Sequence, residues 1–435
     1  MKFSSTRSRD KDITFGKAIF QGLAPDGGLY HPTSIPDLKE LFAGFSGSTS
    51  YNELTEKVTY ELLKEELDKE AVKRIINSAY SFSPFLRRLD DNLLILELFH
   101  GSSYAFKDFG ACFLAASMEE YLSLNTKRAV ILVATSGDTG SAVAQAFYKK
   151  KNIDVVILYP SGRVSNLQEK QLTTLQENII ALEVKGSFDD CQKIVKQAFV
   201  DKDLINAINL TSANSINLGR LMPQAFYYIY AYAQIKNQLK DDLYFTVPSG
   251  NFGNLTAGIY AWQWGLPAKG FVAATNVNDV VPEYLSEGIY TPRASVATFS
   301  NAMDVGNPSN FERMQTIFNN SQDKMKSIIH GEVVTDNETL DTIKLVKEKH
   351  DIFIDPHTAV GILSAKRFLK ETGNDKQIII LSTAHAAKFP ETVEKATGIE
   401  MQIPEGLKKT LTLEKHSIPV KNSLSDLKEY LLSNY

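Results

Sequence analysis

From about residue 92 onward, short apolar runs rich in β-branched residues alternate with segments whose apolar residues recur every three or four positions. NLLILEL (92–98), AVILVAT (129–135), DVVILYP (154–160), NIIALEV (178–184), LYFTVPS (243–249), GFVAATN (270–276), DIFID (351–355) and QIIILSTA (377–384) read as strands. Their apolar character is continuous rather than alternating, which predicts strands buried on both faces, as in a mainly parallel sheet covered by helices. Such α/β sheets bind ligands at the C-terminal ends of their strands. The first 91 residues differ, with a turn-rich GLAPDGGLYHPTSIP (22–36) followed by the helical YNELTEKVTYELLKEEL (51–67), and read as a small leading domain. The expected division is therefore 1–91, then two α/β domains over 92–225 and 226–435, with residues 277–340 interrupting the alternation.

Composition narrows the class. A chain of 435 residues is long enough for two or three domains at roughly 150 residues each. With 43% hydrophobic and 23% charged residues and a net charge of -4, it carries no field that would select nucleic acid or a membrane, so small molecules are the expected partners. Two cysteines, Cys112 and Cys191, make no disulfide framework, and the seven histidines lack metal-ligand spacing; no metal is expected. The N-terminus has no apolar signal region, and the apolar AFYYIYAYA (225–233) is far shorter than the ~18 residues of a span, so a cytoplasmic protein is expected.

Three strand ends carry candidate chemistry. In HGSSYAFKDFGACF (100–113), Lys107 falls in the first turn of a helix that follows a buried strand. The unpaired N–H groups there disfavour a cation, so the position lowers a lysine's basicity and favours the nucleophilic neutral amine. A solvated lysine whose stem covers apolar surface is the ordinary alternative. SGDTGS (136–141) and GNFGN (250–254) each join a strand to a helix, where glycines let consecutive N–H groups converge on an anion, although Gly and Asn also make ordinary turns. Neither loop has a Walker lysine or the G-x-G-x-x-G order of a dinucleotide site. Ser382 and Thr383 stand at the third strand end, at the mouth of the sheet and ahead of another expected helix, where a helix cap would explain them equally. A nucleophilic lysine, a phosphate cradle and a neutral hydroxyl on one sheet edge are the parts of a pyridoxal 5'-phosphate (PLP) site.

HGSSYAFKDFG (100–110), ATSGDTGSA (134–142), NSINLGRLMPQ (214–224), VPSGNFGN (247–254), AMDVGNPSNFER (302–313) and STAHAAKFP (382–390) together resemble the threonine synthase family of fold-type II PLP enzymes. The most discriminating stretches are that insert at 302–313 and the leading STRSRDKDITFGKAIFQGLAPDGGLYHP (5–32). The resemblance implies two mainly parallel sheets covered by helices, plus a small N-terminal domain. It also implies conversion of O-phospho-L-homoserine and water into L-threonine and phosphate. By it, Lys107 forms the Schiff base, Gly250, Asn251, Phe252, Gly253 and Asn254 hold the cofactor phosphate, Asp138 lies near the phenolic oxygen, and Thr383 faces the pyridine nitrogen. A hydroxyl opposite that nitrogen, rather than a carboxylate, leaves the ring a weaker electron sink and favours elimination over transamination.

For the substrate phosphate, NSINLGR is the expected cradle: Asn214 or Ser215 caps a helix, while Asn217 and Arg220 share a face of its first turns. Ser136, Thr139 and Ser141 could add hydroxyl donors, and Arg163 is a further candidate, whereas Arg313 is expected to support the insert structurally. Two alternatives stay open. One is a related lyase that releases phosphate but ends in 2-oxobutyrate; the other is a non-catalytic metabolite-binding protein on the same fold, which the presence of Lys107 disfavours.

Overall fold

The computed structural model describes residues 1–8, 11–123, 128–135, 137–239, 242–373 and 375–435. Two sheets form its centre. The larger has six strands in the order Ile329–Val333, Gly270–Thr275, Asp242–Pro248, Lys376–Ser382, Leu93–Glu97 and Phe85–Arg88. All its neighbours are parallel except the last pair. The smaller has five parallel strands in the order Ile418–Val420, Ile179–Val184, Ile153–Pro160, Ala129–Ala134 and Leu210–Thr211. Every residue of the 93–97, 129–134, 153–160 and 270–275 strands is buried, as continuous apolar runs require.

The DIFID run is not a strand. Asp351, in the left-handed region, ends the helix Asp336–His350, and Asp355 caps the helix Pro356–Thr372, so five residues serve as a connection with no room to join a sheet. Ile354 is nevertheless buried in the core between these helices and the larger sheet, which accounts for the apolar pattern. The converse occurs inside the interrupting segment, where the half-exposed Ile329–Val333 adds an edge strand beside Gly270–Thr275. Segments 92–225 and 226–435 each contribute to both sheets: the 93–97 strand belongs to the larger, and the 418–420 strand returns to the smaller. Among the described residues, no helix is long and apolar enough to cross a membrane.

The leading segment is bonded into this framework. Tyr80 donates its hydroxyl to the carbonyl of Phe109, and the side-chain amide of Asn217 donates to the carbonyl of Ile19. Both contacts reach elements that support the lysine described next.

Candidate functional site

Lys107 opens the helix Lys107–Ser123 just beyond the C-terminal end of the 93–97 strand. The connection between them is stitched to the neighbouring strand end: Leu98 N–H donates to Ser382 O at 3.0 Å, Phe106 N–H to Thr383 O at 2.8 Å, and His385 N–H to Tyr104 O at 3.0 Å. Thr383, itself buried, is therefore held one residue away from the lysine. Between this strand end and the expected helix, which is Pro390–Thr397, His385 caps a short turn, Ala386–Lys388.

Asp138 comes from the smaller sheet. After Ala129–Ala134 the chain turns into the helix Asp138–Phe147, and Asp138 Oδ2 lies 3.7 Å from Lys107 Nζ. The turn is organised by Thr135 Oγ1, which accepts from the N–H groups of Gly137 and Gly140 at 3.0 and 2.9 Å. Gly137 has φ +150°, and a Cβ there would meet Gln168 Cδ at 2.6 Å, so this position requires glycine. Burial lowers the basicity of Lys107; Asp138 opposes this, while Lys388 and Arg220 reinforce it. Burial alone would raise the Asp138 carboxyl, but Lys388 and Lys107 outweigh it and hold the group well below the usual carboxylate range.

Sequence reasoning missed Lys388. It lies within STAHAAKFP, is fully buried, and places its Nζ 2.7 Å from Asp138 Oδ1 and 2.8 Å from the carbonyl of Ser103. Gln168 was missed as well; it donates to the same carboxylate oxygen at 3.2 Å.

The GNFGN loop divides into framework and cradle. A Cβ on Gly250 would lie 2.7 Å from Met303 Cα, so this glycine admits the 302–313 insert rather than a ligand. Asn251 bridges the same region, donating to Ser215 Oγ and accepting from Ser309 N–H, each at 2.5 Å. Asn254 is turned inward: its oxygen accepts from Ser249 Oγ and Leu255 N–H, and its amide donates to Pro248 O. What remains for a ligand is backbone. Phe252 is left-handed at φ 58°, and the helix Gly253–Gln263 begins immediately after it with the free N–H groups of a helix N-terminus.

The expected substrate-phosphate residues separate similarly. Asn217, not Asn214 or Ser215, caps the helix Leu218–Leu221, accepting from Gly219 N–H at 2.9 Å. Its amide donates to Ile19 O and Ser212 O, which leaves no donor for a ligand. Asn214 and Ser215 are half-buried before it, with Ser215 bound to the GNFGN loop. Arg220 is buried, donates through Nη1 to Ala213 O at 2.7 Å, and has an Nε without a partner. Burial brings its basicity down to about 10, with Asp108 opposing. Asp108 accepts from Ser103 N–H at 2.8 Å and is pushed up to about 6 by burial. Thr139 is half-buried in the first turn after Asp138, and Ser141 donates to the Asp138 carbonyl. Arg163 is exposed in the turn after Ile153–Pro160, and Ser136 lies outside the described residues. Arg313 is structural, donating to Tyr30 O, Asn310 Oδ1 and Ile216 O at 2.9, 2.5 and 2.6 Å.

A buried, basicity-lowered amine facing a carboxylate, a buried threonine whose backbone is bonded to the residue before that amine, and a helix N-terminus for an anion fit a carbonyl cofactor that bears a phosphate. Comparison with known proteins agrees. Residues 79–384 match the family model described as pyridoxal-phosphate dependent enzyme, 2–80 that of the threonine synthase N terminus, and 358–431 that of the threonine synthase C-terminal region. The threonine synthase of Haemophilus influenzae is 42% identical over 444 residues, covering 100% of both chains. That of Escherichia coli is 39% identical over 96% of this chain and 97% of its own. PLP-bound threonine synthase from Brucella melitensis superposes with a TM-score of 0.94 at 34% identity, over 100% of this chain and 99% of that one. The solved Escherichia coli threonine synthase gives 0.90 at 37% identity, over 100% of each.

Proposed function

We propose, from the premise that this chain belongs to the threonine synthase family of PLP enzymes, a role for each residue gathered around Lys107. The activity is the PLP-dependent conversion of O-phospho-L-homoserine and water to L-threonine and phosphate, the last step of threonine biosynthesis. When bound, PLP supplies an electron sink for charge that develops at the substrate's Cα and Cβ.

Lys107 Nζ would hold the cofactor, and its free amine would carry the protons removed from Cα and then Cβ. A proton carrier must be neutral when it accepts, and burial at a helix start favours that form. Asp138 stays ionised through the cycle and orients the amine from 3.7 Å. The N–H groups at the start of Gly253–Gln263 would hold the cofactor phosphate, and Thr383 would supply a neutral hydroxyl for the cofactor ring. Arg220, with donor capacity left open, binds the phosphate that leaves from Cγ and stabilises the charge it gains on departure.

The observation that carries this reading is the buried pair of Lys107 and Asp138, brought together from two different sheets. Lys107→Ala is its test. The variant should fold, hold no PLP that borohydride fixes covalently to the chain, and form neither threonine nor 2-oxobutyrate. Turnover near the unsubstituted level would overturn the assignment.

A further inference from the structure

Asp138 serves two lysines. Lys107 Nζ approaches Oδ2 at 3.7 Å, whereas Lys388 Nζ is at 2.7 Å from Oδ1, nearer and fully buried. Lys388 is anchored from behind by the Ser103 carbonyl, so its ammonium cannot swing toward solvent. A fully buried lysine is rare unless paired, and this one is paired to a group already facing the reacting amine.

We propose that Lys388 is a positioning residue that acts through Asp138, occupying the carboxylate so that Lys107 is not locked into an ion pair and can present a neutral amine. With Lys107 as its sole cationic partner, Asp138 would be an uncompensated buried anion whenever the Lys107 amine is neutral. Lys388 removes that penalty, because its charge persists in every state of Lys107. The other groups around the amine are Arg220, a cation on the Leu218–Leu221 helix, Asp108 beside Lys107, and neutral Gln168 on Asp138. None of them supplies the same charge: Gln168 donates to the same oxygen but is neutral, Arg220 donates to Ala213 O, and Asp108 accepts from Ser103 N–H.

The inference rests on the reading of Lys107 as the cofactor lysine, and its test reads the lysine's protonation. The full chain, freed of cofactor by dialysis, is mixed with PLP across a range of pH, and the growth rate of the visible band reports the neutral fraction of Lys107. Lys388→Met should raise the midpoint by about one unit or more, slowing uptake near neutral pH about tenfold. Lys388→Arg keeps the charge and should restore the midpoint. Asp138→Asn should move it down, opposite to Lys388→Met. Should Lys388→Met fail to fold, Lys388→Arg and Asp138→Asn still decide. The proposal is overturned by an unchanged midpoint in Lys388→Met, by an upward shift in Asp138→Asn, or by a Lys388→Arg midpoint displaced as far as expected for methionine. Lys107→Ala run alongside separates the two readings. PLP fixed to the chain by borohydride in that variant as fully as in the unsubstituted protein would refute the lysine assignment itself, whereas none fixed there together with an unmoved Lys388→Met midpoint would refute only the role of Lys388.

Discussion

Arg220→Ala is the sharpest test of the substrate-phosphate assignment, because it should damage activity far more than stability. The guanidinium is buried, its one described hydrogen bond runs from Nη1 to Ala213 O, and its Nε has no partner. It is therefore a buried charge that the fold alone does not satisfy, and the cost of burying it shows in a basicity brought down to about 10. Truncation removes one charge-assisted contact to substrate, worth about 1.5–3 kcal/mol, which corresponds to roughly a 10- to 150-fold loss of kcat/KM. Because the phosphate gains charge as it leaves, part of the loss should fall on kcat. Removing an unsatisfied buried cation should leave the melting temperature within a few degrees. Arg313→Ala provides the contrast, since Arg313 is equally buried but makes three hydrogen bonds, and its loss should destabilise the fold markedly. Steady-state phosphate release, PLP absorbance and thermal melts on both variants complete the comparison. Unphosphorylated homoserine should be a poorer substrate for the unsubstituted enzyme by roughly 10⁴ or more, since its hydroxyl is a poor leaving group and leaves the arginine unpaired. An Arg220→Ala enzyme that keeps kcat/KM within threefold, or loses cofactor while retaining its preference for the phosphorylated substrate, would refute the reasoning.

Gly253→Asp should lower PLP affinity at least about tenfold by placing negative charge where the phosphate sits, while the helix itself tolerates an acid at its N-terminus; its Cβ would stand 3.2 Å from Asn310 Nδ2, so only a small adjustment is needed. Unchanged affinity on titration would place the phosphate elsewhere. Asp108→Asn should stabilise the chain increasingly as pH rises: the unfolded group ionises near 3.8 and the native one near about 6, so the native state carries a penalty that appears above the first value and is complete above the second. Two units amount to about 3 kcal/mol, an upper bound on the gain, and denaturation at low and high pH should show it only at the high end. An equal effect at both would contradict a buried, proton-retaining Asp108. Thr383→Asp should raise the share of abortive transamination by favouring a protonated ring nitrogen, and unchanged product partition would refute that argument.

Strands were legible where both faces are covered, because such a run has no polar residue to confuse the pattern; Ile153–Pro160, buried at every position, is the clearest case. The same logic hid Ile329–Val333, an edge strand with four of its five residues only partly buried, and misread DIFID, whose apolar side chains pack between helices. In the site, Lys107, Thr383 and the glycine loops were visible because they occupy strand ends, where local sequence dictates a turn. Asn217 was assigned to the ligand although its donors are committed to backbone carbonyls of Ile19 and Ser212, a long-range pairing that local spacing does not encode. Lys388 escaped for a related reason: its burial depends on a carboxylate delivered by the other sheet, and nothing adjacent in sequence distinguishes it from a surface lysine.

The two proposed anion sites are not independent loops. Asn251 joins the cofactor-phosphate loop to Ser215, at the start of the segment that carries Arg220, and also accepts from Ser309 in the insert. Asn310 closes the arrangement by donating to Asn251 O, and Arg313 ties Asn310 to Ile216 and to Tyr30 of the leading domain. Displacing any one of these chains would move both proposed phosphate positions together, so the spacing between them would be set by this hydrogen-bond network rather than by either ligand. This gives the insert and the leading domain a physical reason to accompany the chemistry. An enzyme that held one phosphate at this helix N-terminus and another at Arg220, as proposed, would need a frame that keeps the two apart.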